Sequence, residues 1–117
     1  MGWKQRVTDM LARVEAGSYS ERSWVFCGPL RAYVRVTRHG TPKGVVPTLD
    51  VASIEVDEAH RGHGRFTRWI AKVEAMADQH NRTVFVESVL NPRLIPFLER
   101  RGYHADHVPC CYYREPK

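Results

Sequence analysis

Long apolar runs are missing from this chain of 117 residues, and nothing in it approaches the ~18 consecutive apolar residues that a membrane-spanning helix needs. The start, Met1-Gly2-Trp3-Lys4-Gln5-Arg6, also lacks the apolar stretch of a secretion signal. Cysteine is scarce. Cys27, Cys110 and Cys111 make an odd count without a Cys-x-x-Cys spacing, which excludes a disulfide framework and fits a reducing compartment. His60-x-x-His63, and His104-x-x-His107 followed by Cys110-Cys111, offer neither a recurring Cys-x-x-Cys nor a helical i, i+4 histidine pair, so no metal site is assigned. Internal repeats and low-complexity segments are absent too. With 43% hydrophobic residues, the chain is expected to form one cytoplasmic domain over residues 1–117, packed around a single core and with no membrane partner.

Charge is in excess on one side only: the net charge is +5 and the pI near 9.4. Such a balance attracts something anionic, whether nucleic acid, an acidic protein or a phosphorylated cofactor. Part of the excess is concentrated between His60 and Lys72.

Residues 3–14 place Trp3, Val7, Met10, Leu11 and Val14 at intervals of three and four, which predicts a helix with one buried stripe. Residues 23–27 and 30–37 read as two strands joined at Gly28-Pro29, and the glycines and prolines of 39–47 read as a loop. A third strand is predicted over 48–56, a helix over 65–80 and an apolar strand over 83–89. Asn91 and Pro92 are expected to cap and open a last helix reaching Arg101, kinked or tightened by Pro96. Gly102 ends it, and 103–114 supplies one or two closing strands. The alternation in the second half predicts an α/β fold: a mixed sheet with flanking helices.

Chemistry concentrates in Val56-Asp57-Glu58-Ala59-His60-Arg61-Gly62-His63-Gly64-Arg65-Phe66, which leaves a strand and enters a helix. Two glycines one residue apart let the backbone turn tightly and present successive N–H groups, and the helix start adds roughly half a positive charge. Arg61, His63, Arg65 and Arg68 add side-chain donors, so a pyrophosphate suits the turn. A nucleotide-binding Gly-Lys-Ser/Thr is absent, and so is the third glycine of a dinucleotide fingerprint.

This segment resembles the pyrophosphate-binding motif of the GNAT acetyltransferases, Val-x-Pro-x-x-Gln/Arg-x-x-Gly-x-Gly/Ala, with Val56, Arg61 and Gly64 in place. Glu58 stands for the proline, and Phe66 for the last small residue, where a ring must turn into the core or crowd a cofactor. A second match lies downstream: Asn91, Gly102 and Tyr103 reproduce the family's Asn and its Gly-Phe eleven and twelve residues beyond. The resemblance covers residues 48–103, somewhat under half the chain. In overall look the sequence is similar to short GNAT-like proteins encoded by bacteriophages.

The resemblance implies a compact GNAT fold whose central sheet splays, with acetyl-CoA (coenzyme A) as cofactor. Pantetheine would lie along Ile54 and Val56, the pyrophosphate would sit on Arg61, Gly62, His63, Gly64, Arg65 and Phe66, and Asn91 would border the same site. It also implies direct attack by an amine, on a protein or a small molecule, upon the thioester. Glu55 is the candidate base, sharing a face with Ser53 and Val51 by the two-residue period, and Glu87 is the alternative. The family's acid, a tyrosine seven residues after the Asn, is replaced by Leu98, so Tyr112 is the candidate donor, with Tyr113, Cys110 and Cys111 beside it. A GNAT-fold binding module without catalysis stays open as an alternative. So does a small nucleic-acid binder using Trp24, Phe26 and Tyr33 beside Arg31 and Arg35, although it leaves the Asn91 to Gly102 spacing unexplained. Monomer and homodimer are both compatible with the sequence.

Overall fold

The computed structural model describes the whole chain except Met1, Glu58, His60 and His63. The elements follow in the order α1 (Trp3–Glu15), β1 (Glu21–Cys27), β2 (Leu30–Thr41), β3 (Gly44–Val56), α2 (Arg65–Gln79), β4 (Thr83–Val86), α3 (Leu94–Arg100), β5 (His104–Ala105) and β6 (Tyr112–Arg114). The six strands form one mixed sheet in the order β1-β2-β3-β4-β6-β5. Every neighbouring pair is antiparallel except β3 and β4, which α2 connects and which therefore run parallel.

All three helices contribute to one core against one face of the sheet. Val7, Met10 and Leu11 of α1, Trp69, Ile70, Val73 and Ala77 of α2 and Leu98 of α3 join Val34, Val36, Leu49, Val51, Val84 and Val86 from the strands. Each such fully buried aliphatic side chain contributes about 1.5–3 kcal/mol. Trp3 and Trp69 bring α1 and α2 together, ring centroids 5.5 Å apart. The other face carries a smaller apolar cluster of Phe85, Cys111 and Tyr113 amid charged side chains.

Three expectations change. Residues 39–47 are not a loop: β2 and β3 run on as a hairpin to Thr41 and Gly44 and turn at Pro42 and Lys43. Thr41 holds this turn, its hydroxyl accepting the Lys43 N–H at 3.1 Å and donating to the Gly44 carbonyl at 3.0 Å. Pro47 fits within β3 because it precedes the first residue paired to β4, Thr48, and proline is tolerated at such an edge. Asn91 and Pro92 do not start α3. Asn91 instead caps the turn before it, accepting the Arg93 N–H at 3.0 Å, and the helix begins at Leu94. Pro96 then falls in the first turn of α3, where its missing N–H removes no helical bond.

The third change is in register. Tyr33 pairs with Ser53 but Val34 pairs with Val51, so Ala52 is an extra residue, a bulge in β3. The face shared by Leu49 and Val51 is resumed by Ile54 and Val56, and Glu55 lies with Ser53 opposite Val51. The strict two-residue period that put all three on one face fails at Ala52.

Candidate functional site: the cleft between strands 3 and 4

β3 and β4 share a ladder only from Thr48 and Thr83 to Val51 and Val86. The last contact is the Glu87 N–H donating to the Val51 carbonyl at 3.0 Å. Two local features end it. On one side lies the Ala52 bulge; on the other, Ser88 has φ 58, a left-handed conformation that turns the chain away from β3. Val89 then bonds the Cys110 carbonyl instead, at 2.9 Å. Ile54, Glu55 and Val56 are thereby left without a strand partner on the β4 side, among the described residues.

The gap opens into a cavity of about 850 Å³, lined by Ile54, Glu55, Val56, Arg61, Phe66, Asn91 and Phe97 among others. A smaller hollow of about 270 Å³ adjoins it, sharing Val56, Arg61, Phe66 and Thr67 and adding Gly62, Gly64 and Arg65. Of the cofactor residues predicted from sequence, every described one lies on this continuous surface. His63 lies outside the described residues.

Gly62 and Gly64 have φ 81 and 70, conformations that L side chains rarely adopt. Gly64 is the N-cap of α2, so the N–H groups of Arg65, Phe66 and Thr67 have no partner within the helix, while the Arg68 N–H closes the first turn on the Gly64 carbonyl at 3.0 Å. Arg61 ties the turn to the strand end, its Nε donating to the Val56 carbonyl at 3.0 Å. Phe66 turns its ring toward Phe97 and Trp69, with centroids 5.6 and 6.5 Å away, and forms a half-buried wall of the cavity.

The catalytic candidates fare differently. Glu55 lines the cavity but pairs with Arg31, directly opposite on β2, at 2.7 Å. Tyr112 does not line it. Its register partner is Val86, so its half-buried ring packs against the main core on the helix-bearing side. Leu98 is fully buried in that core.

Sequence reasoning missed a cluster on the opposite face, beside the point where the strands part. Asp50, 0% exposed, accepts bonds from His39 Nε2 at 2.6 Å and Arg35 Nε at 3.1 Å on the same oxygen, Oδ2. Arg35 also donates to Glu87, and the His39 ring stacks on Phe85 with centroids 4.1 Å apart. The ligating atoms of His39, Asp50 and Glu87 lie within 4.8 Å of one another, a spacing that suits a cation, but Arg35 already bridges the two carboxylates. The signal that was available is Asp50 itself, a carboxylate between Leu49 and Val51 in an inward-reading strand.

Neither a protein-family model nor a curated protein matches the sequence. Solved structures do. A KacTA–DNA complex is similar to this chain with a TM-score of 0.61 and 15% identity, covering 96% of this chain and 77% of that one. AtaT complexed with acetyl-methionyl-tRNAfMet gives 0.55 and 14%, covering 95% and 79%. A mutant AtaT toxin bound to the C-terminus of the antitoxin AtaR and acetyl-CoA gives 0.58 and 13%, covering 74% of this chain and 57% of that one. The chain has the GNAT fold. At these identities the likeness is one of fold, and the chain spans little more than half of the AtaT chain in the acetyl-CoA complex. No helix among the described residues is long and apolar enough to cross a membrane.

Proposed function

We propose that this GNAT-fold protein is an acetyl-CoA-dependent N-acetyltransferase that moves an acetyl group to an amine of a protein or small molecule by direct attack. The observation that carries this reading is the β3–β4 gap running without interruption into the turn at Gly62 and Gly64. The Ile54 backbone and the Val56 N–H, which no strand takes on the β4 side, suit the amides of pantetheine. The N–H groups at the start of α2, which have no partner within the helix, suit a pyrophosphate together with Arg61 and Arg65. Asn91 and Phe66 close the sides of the channel. The thioester would then stand near Val51 and Glu87, where the ladder ends and the strands part. Glu55, engaged by Arg31, is positioned to draw an ammonium toward the rim. The acetyl-CoA bound in one AtaT structure supports the cofactor.

Leu98, buried where a tyrosine acid would be expected, favours a second reading in which the fold binds acetyl-CoA and a partner protein without turnover. Against it, a thiolate with a pKa of about 8.5 leaves without an acid. The free cysteines fit a reducing compartment, and we assign the protein to the cytoplasm.

Calorimetry with acetyl-CoA tests the cofactor, and thiol release with a panel of amines separates enzyme from binder. Wild-type protein is expected to bind in the micromolar range. Gly64→Val is expected to lose binding by ~100-fold or more while keeping its circular dichroism spectrum, since a β-branched residue resists φ > 0 and closes the cradle. Wild-type protein that fails to bind at millimolar acetyl-CoA refutes both readings.

A further inference from the structure

We propose that His39, oriented by Asp50, is the group that takes the proton from the acceptor amine, on the sheet face opposite the helices. The inference rests on the acetyltransferase reading above. His39 Nε2 is 2.6 Å from Asp50 Oδ2, and a carboxylate accepts, so Nε2 carries the hydrogen. The lone pair is thereby placed on Nδ1, which has no partner among the described residues. Phe85 fixes the plane of the ring from β4, stacked at an interplanar angle of 13°. The side chain stays 26% exposed, open to an approaching amine.

Position and charge agree with this role. Asp50 pairs with Phe85, one step before the final ladder pair of Val51 and Val86, so the cluster stands beside the place where the cleft opens. Charged groups reach the ring from each element around it: Asp50 from β3, Glu87 from the end of β4 with Oε1 3.7 Å from Nε2, and Arg35 from β2. Arg35 also acts electrostatically on the thiol of Cys111, which burial raises above its ordinary pKa. Two carboxylates against one guanidinium leave one negative charge beside the imidazole, so a proton taken up by the ring is compensated within the cluster. Asp50 Oδ1 is buried and without a partner among the described residues, so the carboxylate keeps acceptor capacity beyond the two bonds on Oδ2.

The step balances as follows. The ammonium gives one proton to His39 Nδ1, and the neutral nitrogen attacks the thioester carbon. A C–N bond forms and the C–S bond breaks. The second proton shed by nitrogen goes to the departing thiolate, and His39 returns the first to water. Asp50 is a positioning residue, acting through the ring.

The test uses wild type, His39→Gln and Asp50→Asn. The readouts are acetyl-CoA affinity by calorimetry, thiol release with spermidine and with a lysine-containing peptide as probes, and 15N spectra of His39. Expected are unchanged affinity in both variants, release slowed ~100-fold or more in His39→Gln and ~10-fold in Asp50→Asn. The wild-type rate should fall on acidification more steeply than that of His39→Gln. The wild-type spectrum should show hydrogen on Nε2 and a free Nδ1, a preference lost in Asp50→Asn. His39→Gln with wild-type rate and pH profile overturns the inference and leaves the acetyltransferase standing. Should neither probe react, a spectrum with hydrogen on Nδ1 overturns it by itself, and the Nε2 tautomer supports it. Loss of acetyl-CoA binding by the wild type overturns both.

Discussion

Two carboxylate clusters of nearly the same composition lie on opposite faces of the sheet. On the helix side Glu74 of α2, 5% exposed, accepts from Nε and Nη2 of Arg101 and from the Tyr103 hydroxyl at 2.9 Å. Both of its oxygens are used. On the other side Asp50 receives Arg35 and His39 on one oxygen, and its second has no partner among the described residues. The first cluster joins α2 to the end of α3 and is complete; the second stands next to the cleft and is not. A buried carboxylate in a saturated network has structural work only, whereas one with spare acceptor capacity beside a half-exposed imidazole is equipped to move protons.

The largest effect expected from breaking this contrast is Glu74→Ala. It leaves the buried Tyr103 hydroxyl without its acceptor and the half-exposed Arg101 guanidinium unpaired, and should cost about 2 kcal/mol, read as a lower melting temperature, with acetyl-CoA affinity of the folded protein within twofold of wild type. A variant that melts normally but turns over slowly would erase the distinction between the clusters. Tyr103→Phe should cost about 1 kcal/mol, the loss of one buried hydrogen bond. Burial and the adjacent Glu74 both push the Tyr103 phenol well above its ordinary pKa, so no titration of it should appear on the alkaline side up to pH 11 in ultraviolet absorbance.

The smallest effect concerns a third pair, Asp78 with Arg114, bonded at 3.0 and 3.3 Å. Burial works to raise the Asp78 pKa, but the Arg114 guanidinium and the Lys117 N–H outweigh it and hold the carboxyl below its usual value. A depressed carboxylate stabilises the folded state above its unfolded pKa of roughly 4 and loses that contribution as pH falls through the folded value. Asp78→Asn should therefore lower the melting temperature slightly at pH 7 and not at pH 2. An equal difference at both would sharpen the comparison toward packing instead of charge.

Much of this was readable from residues alone. The helical stripe from Trp3 to Val14, the glycine turn and the spacing from Asn91 to Gly102 each encode local geometry, and local geometry repeats in sequence. The length of the β2–β3 hairpin was not, because pairing overrides what Gly40, Pro42, Gly44 and Pro47 suggest one by one. The Asp50 cluster was invisible for the same reason. His39, Asp50 and Glu87 come from three segments, and only the strand order brings them together. Tyr112 does lie on the closing strand, but which way it faces was not readable, because in a three-residue strand that depends on the neighbour it docks against.

The single extra residue at position 52 shapes the backbone of the third strand. Deleting Ala52 would leave Ile54 and Val56 facing inward and Glu55 outward, since plain alternation from Val51 then gives the same facing, but it would remove the kink that helps end pairing with β4 and so tend to close the cleft. The length of that strand is thus set to the residue, and no insertion or deletion between positions 51 and 56 leaves both the cleft and the core as they are.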